Sequence, residues 1–213
     1  MTFRAMMHRS ILLLLTLIAS RAGAQQFTET FPGLPEKLFP CVAVGDSDGD
    51  GDLDVLIAAN GKKDVPFSTI YTNSGGVFTT NSIALLGLSR ATAAWGDFDG
   101  DGDLDLAMTG VENSGAFTGP PRTKIYRNDG GTFTALPGSF FGVFDGGIAW
   151  GDYDGDGDLD LLVTGLTLTS AEGVGETRLY RNDGGVFTSV PHPFPNCDAG
   201  AVAWGDYNND GKL

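Results

Sequence analysis

Apolar and polar residues alternate along this chain in short runs, and the runs themselves recur. Leu53-Asp-Val55-Leu-Ile57 returns as Leu104-Asp-Leu106-Ala-Met108 and as Leu159-Asp-Leu161-Leu-Val163. Apolar side chains at every second position, with few polar ones between, predict β-strands. Upstream of each run, a segment ending in Ala-x-Gly-Asp sets Ala43, Ala94, Ala149 and Ala203 at one register. Downstream, Ile70-Tyr71-Thr-Asn73-Ser-Gly-Gly76-Val-Phe78-Thr79 has copies at residues 125–134 and 179–188. Its Gly-Gly pair supplies the positive φ angles of a tight hairpin, which places Tyr71 and its counterparts in a third strand and residues 77–80 in a fourth.

The interval between copies is nearly constant. Asp46, Asp97, Asp152 and Asp206 are separated by 51, 55 and 54 residues, and Tyr71, Tyr126 and Tyr180 by 55 and 54. A period of this size signals stacked supersecondary units, a propeller or a solenoid. Four antiparallel strands in about 50 residues make the blade of a β-propeller. The expected fold class is therefore all-β, a β-propeller of four-stranded blades, with the small alanine at the crowded position nearest the central channel. Residues 26–29 align with the fourth-strand motif, as though the mature chain opened on a blade's last strand and would complete the final blade of a closed ring. The sequence reaches Leu213 at position 8 of a fourth acidic loop. About three blades and a partial one are expected, the start of a ring of about seven.

Charge changes this picture most at the turn between the first and second strands. Asp46-Ser-Asp48-Gly-Asp50-Gly-Asp52-Leu-Asp54 recurs at residues 97–105 and 152–160, and a fourth copy starts at Asp206. Carboxylates at positions 1, 3, 5 and 9, with glycine at 6 for the sharp turn, fold oxygen donors inward around a hard cation, for which calcium is expected. An EF-hand would need a bidentate glutamate at position 12, where Ile57, Met108 and Val163 stand. The net charge is −14, and seventeen of the 27 acidic residues lie in these loops, five in each of three copies and two in the fourth. So many carboxylates so close together repel one another at neutral pH, and a divalent ion offsets that repulsion. The same acidity argues against nucleic acid and anionic membranes as partners.

Residues 1–24 read as a secretory signal peptide. Arg4, His8 and Arg9 precede the apolar run 11–19, and Ala22-Gly-Ala24 follows as a small-residue cleavage site. The run is too short to span a bilayer, no later segment is longer, and the mature protein is expected to be exported from Gln25 onward. Export permits a disulfide between Cys41 and Cys197, although the two occupy different positions in their repeats. Beyond residue 24 the only histidine is His192, set between prolines, and no nucleophile pattern accompanies it, so catalysis by this segment is not expected.

Trp95-Gly-Asp-Phe-Asp-Gly-Asp-Gly-Asp-Leu-Asp105 and Ile125-Tyr-Arg-Asn-Asp-Gly-Gly131, with their copies, resemble FG-GAP/VCBS-type repeats, as in the calcium-binding blades of integrin α-subunit propellers and many bacterial secreted proteins. The resemblance covers essentially all of residues 25–213. It implies Ca2+ held by the side chains of Asp46, Asp48, Asp50 and Asp54 with the carbonyl of Asp52. It implies a second site from Asp97, Asp99, Asp101, Asp105 and the carbonyl of Asp103, and a third from Asp152, Asp154, Asp156, Asp160 and the carbonyl of Asp158. The fourth copy departs, with Asn208 at position 3 and Lys212 at 7, and is expected to be defective. Trp95, Trp150 and Trp204, matched by Val44 in the first repeat, are read as packing residues rather than sugar platforms.

The expected role is a secreted, calcium-stabilised binding or adhesion module for extracellular protein or carbohydrate. The alternatives are a non-catalytic or substrate-binding propeller of a secreted polysaccharide-acting enzyme, and a structural spacer. Acidic loops and Gly-Gly turns should share one face. The opposite face would carry the segments that differ between repeats, residues 60–68, 111–121 and 166–176, with Phe140, Phe141, Phe144 and Phe194 either exposed there to ligand or plugging gaps between blades.

Overall fold

The computed structural model describes residues 38–61, 65–80, 83–112, 119–168 and 173–213. The expected signal peptide and the fourth-strand match at residues 26–29 lie outside the described residues, as do the middles of the three variable segments. The described strands are β1 (Leu38–Gly45), β2 (Asp54–Asn60), β3 (Pro66–Ser74), β4 (Val77–Thr80), β5 (Leu88–Gly96), β6 (Asp105–Glu112), β7 (Pro121–Asp129), β8 (Thr132–Ala135), β9 (Phe144–Gly151), β10 (Asp160–Thr167), β11 (Val174–Asp183) and β12 (Val186–Val190). They form three four-stranded antiparallel sheets, each made of consecutive strands in chain order. These are the blades of a β-propeller. Their first strands lie side by side, β1 against β5 and β5 against β9. Among the described residues no helix is long and apolar enough to cross a membrane.

The second strand of each blade is the most deeply buried, with every residue of β2 out of solvent. Alternate side chains point to opposite faces of a strand, and in β6 each face meets a neighbouring blade. Leu106 and Met108 join Leu56, Ala58 and Ile70 in a cluster between the first and second blades. Ala107, on the other face, joins Ile148, Leu161 and Val163 between the second and third. An apolar second strand follows from burial on both faces.

Close approach between blades falls on the glycine two positions after each register alanine. A Cβ added to Gly45, Gly96 or Gly151 would come within 3.0 Å of the indole of Trp95, Trp150 or Trp204 of the following repeat. The alanine main chain serves the same contact, since Trp150 Nε1 donates to Ala94 O (3.2 Å) and Trp204 Nε1 to Ala149 O (3.4 Å). Phe98 stacks on Trp150 with centroids 5.9 Å apart, and Tyr153 on Trp204 at 6.4 Å. The tryptophans therefore pack each repeat against the one before it. Val44, their counterpart in the first blade, is 48% exposed.

The connection between blades is stitched to both of its neighbours. Phe141 N–H donates to the Tyr180 hydroxyl of the third blade (2.7 Å), while Phe141 O accepts from Thr123 Oγ1 of the second (2.8 Å). Leu86 N–H meets the Tyr126 hydroxyl in the same way. Phe140 packs on Tyr180 and Phe187 at 5.3 and 5.8 Å, Phe144 is buried, and Arg178 covers the Phe141 ring at 4.8 Å. Those three phenylalanines fill gaps between blades, and only Phe194 stays exposed. Past β12, residues 195–198 lie against β11 and residues 201–204 against β9, without strand pairing, and both cysteines are free thiols.

Candidate metal centre

Each acidic loop folds around its own main chain. Glycines at positions 4 and 6 take positive φ, 73° and 92° in the first loop, 73° and 97° in the second, 80° and 99° in the third. That conformation suits glycine and turns the chain tightly enough to point N–H groups inward. The position-1 carboxylate collects them. Asp46 accepts from Gly49 N (2.9 Å) and Gly51 N (3.0 Å), and Asp97 and Asp152 accept from the matching glycines. At position 5, Asp50, Asp101 and Asp156 each accept the N–H of position 7 at 2.9 Å.

Carboxylate oxygens then converge. One oxygen each from Asp46, Asp48 and Asp50 lie within 4.8 Å of one another, as do those of Asp97, Asp99 and Asp101, and those of Asp152, Asp154 and Asp160. The donors are all oxygen, which suits a hard divalent cation. Partial desolvation, then neighbouring carboxylates, hold the carboxyls of the largely exposed Asp48 and Asp99 above their ordinary range. Burial also raises Asp160, and pushes Asp105 up to about 6. Repulsion and desolvation both oppose ionisation in these loops, and a bound cation would relieve both.

Positions 7 and 9 have additional structural partners. Asp52, Asp103 and Asp158, expected to offer only a carbonyl, accept through Oδ2 from Gly75, Gly130 and Gly184 at 2.7, 2.6 and 2.7 Å. This pins the Gly-Gly hairpin to the acidic loop and puts both on one face, as expected. Asp54, Asp105 and Asp160 are wholly buried. Oδ2 of each accepts the position-2 N–H, from Ser47, Phe98 and Tyr153, and Oδ1 accepts the N–H of Asn73, Asn128 or Asn182, all between 2.7 and 2.9 Å. A carboxylate has about four lone-pair sites, so these bonds leave capacity for an ion.

The asparagine recurs in every third strand, yet its role is not apparent until the blades are assembled. Asn128 Oδ1 accepts from Gly131 N, and its Nδ2 donates to Leu104 O (3.0 Å) and to Ser47 O of the preceding blade (2.9 Å). Asn182 repeats this with Leu159 O and Phe98 O. In the fourth copy Asn209 takes φ 60° where the others have glycine, and Asp206 still accepts from Gly211 N (2.6 Å). Its loop conformation persists despite the changed residues. His192 binds Thr177 O and stacks on Phe194.

A family model of the FG-GAP-like repeat matches residues 46–108 and 114–163. The first match spans two acidic loops and the blade strands between them, and the second contains the third loop. Comparison with curated proteins gave no match.

Proposed function

Because this chain belongs to the family of FG-GAP-like repeat proteins, we propose that its propeller blades form a calcium-stabilised, non-catalytic scaffold that works outside the cell as a binding or adhesion module for protein or glycan. The observation that carries the calcium reading is the threefold repetition of one loop in which three carboxylate oxygens lie within 4.8 Å of one another. The ligand sets are those named from the resemblance, from Asp46 to Asp54, Asp97 to Asp105 and Asp152 to Asp160. A bound ion would neutralise charge that the apo loops concentrate, and export, as expected from residues 1–24, would place them where free calcium is abundant.

Binding of a partner falls to the face opposite the acidic loops, where connections differ between repeats while the blades beneath stay constant. With three phenylalanines committed between blades, the large apolar side chains that the described residues of that face leave exposed are Val65, Leu168, Val174 and Phe194. The pairs Arg122–Glu112 and Arg178–Glu176 mark it. Calorimetric titration of the chain with calcium tests the reading. Saturable binding, with magnesium much weaker, is expected; absence of binding would reduce the loops to solvated turns.

A further inference from the structure

Each junction between described blades carries one asparagine that links two buried carboxylates. Asp54 accepts the N–H of Ser47, and the Ser47 carbonyl accepts Nδ2 of Asn128, whose own N–H donates to Asp105. One blade on, Asp105 accepts the N–H of Phe98, the Phe98 carbonyl accepts Nδ2 of Asn182, and Asn182 N–H donates to Asp160. Asp54, Asp105 and Asp160 therefore share a continuous run of hydrogen bonds and peptide units across two blade junctions. Asn128 and Asn182 are at most 1% exposed. Each also holds its own Gly-Gly hairpin through Oδ1, so neither side chain can turn without breaking bonds in two blades.

We infer that Asn128 and Asn182 are positioning residues that couple neighbouring ion sites, so that filling one acidic loop tightens binding in the next. This rests on the calcium reading above. An ion drawing Asp46, Asp48 and Asp50 together fixes the Ser47 peptide lying between the first two. That peptide orients Asn128, and Asn128 orients the Asp105 carboxylate. A loop whose position-9 carboxylate is already ordered loses less freedom when its own ion arrives, which is positive cooperativity without a large change of shape. The coupling is reciprocal, since each site must affect the other by the same factor.

The test disables the first loop with Asp48→Asn and Asp50→Asn, both on exposed side chains, and follows calcium binding by NMR at physiological ionic strength. The amide signals of Gly102 and Gly157 report the second and third loops separately, because they donate to Asp97 and Asp152. Disabling the first loop is expected to weaken calcium binding at the second by about fivefold or more. The same pair of substitutions on an Asn128→Ala background is expected to leave the second loop unchanged. An unaltered midpoint at Gly102 with Asn128 intact would overturn the coupling while leaving calcium binding in place. A shift that persists without the Asn128 amide would make the effect one of charge alone and would overturn the role of the asparagine. No saturable change at Gly102 or Gly157 in the unaltered chain would overturn both the coupling and the calcium reading.

Discussion

Asn128 in the second blade donates through Nδ2 to the main-chain carbonyl of Ser47 in the first, 81 residues earlier in the chain, at 2.9 Å. Asn182 stands in the same relation to Phe98, 84 residues earlier, at 2.7 Å. One amide thus closes the loop of its own blade and fastens the blade before it.

Asn128→Ala and Asn182→Ala should each destabilise the chain by about 2–4 kcal/mol, because they leave buried carbonyls on both sides of a junction without their donor. Asn73→Ala removes bonds to Leu53 O and Gly76 N within its own blade and should cost about half as much. Urea denaturation of the three variants checks the order, and equal losses would contradict the junction role.

Gly96→Ala and Gly151→Ala would each drive a methyl group into the indole of the next repeat's tryptophan. Overpacking of this kind costs about 1–3 kcal/mol. Gly205 has nothing within 4 Å of the same position, so Gly205→Ala should be nearly neutral. Thermal melts of the three variants separate the cases.

In chelated protein, stability should fall as pH rises from about 4 to 6. Burial raises the Asp105 carboxyl to about 6, above its unfolded value near 3.9. The folded state therefore holds that proton more tightly, and the stabilisation present below pH ~4 is lost as pH passes through 6. Asp48, Asp99 and Asp160 shift the same way, whereas main-chain N–H donors, Gly211 foremost, lower the exposed Asp206. Melting temperatures in EGTA across that range should decline, and Asp105→Asn should flatten the decline. A melting temperature that rises with pH would contradict the shift.

Thiol labelling should find Cys197 first. Cys41 is buried between the first two blades and its thiol is pushed up to about 11 by that burial, whereas Cys197 is half-buried beyond the third blade. A disulfide-forming aromatic reagent should modify Cys197 in native protein and reach Cys41 only on unfolding. Equal rates would place Cys41 nearer the surface.

The blade plan was legible in the sequence because each strand, hairpin and acidic loop repeats with its turn chemistry intact, from the Gly-Gly pairs to the Leu-Asp-Leu runs. The face shared by acidic loops and hairpins followed from strand order alone. Partners distant in sequence were not legible. Asp52 shows in the sequence as one acid among five, and only the assembled blade reveals Gly75 against it. Asn73, Asn128 and Asn182 recur in plain view, but two of them act on a neighbouring repeat that only assembly brings near. The phenylalanines between blades left two readings open for the same reason, since a side chain in a connecting segment faces solvent or a junction according to where the next blade packs.

The central claim, that calcium holds these blades in order, is tested most directly by thermal melts of the chain in calcium, in magnesium and in EGTA. With free calcium at a hundred times the dissociation constant, each filled site contributes about 2.7 kcal/mol. Three sites should therefore raise the melting temperature by about 15 °C or more over the chelated protein. Magnesium should give a small part of that rise. Superimposable melts in calcium and EGTA would contradict the account.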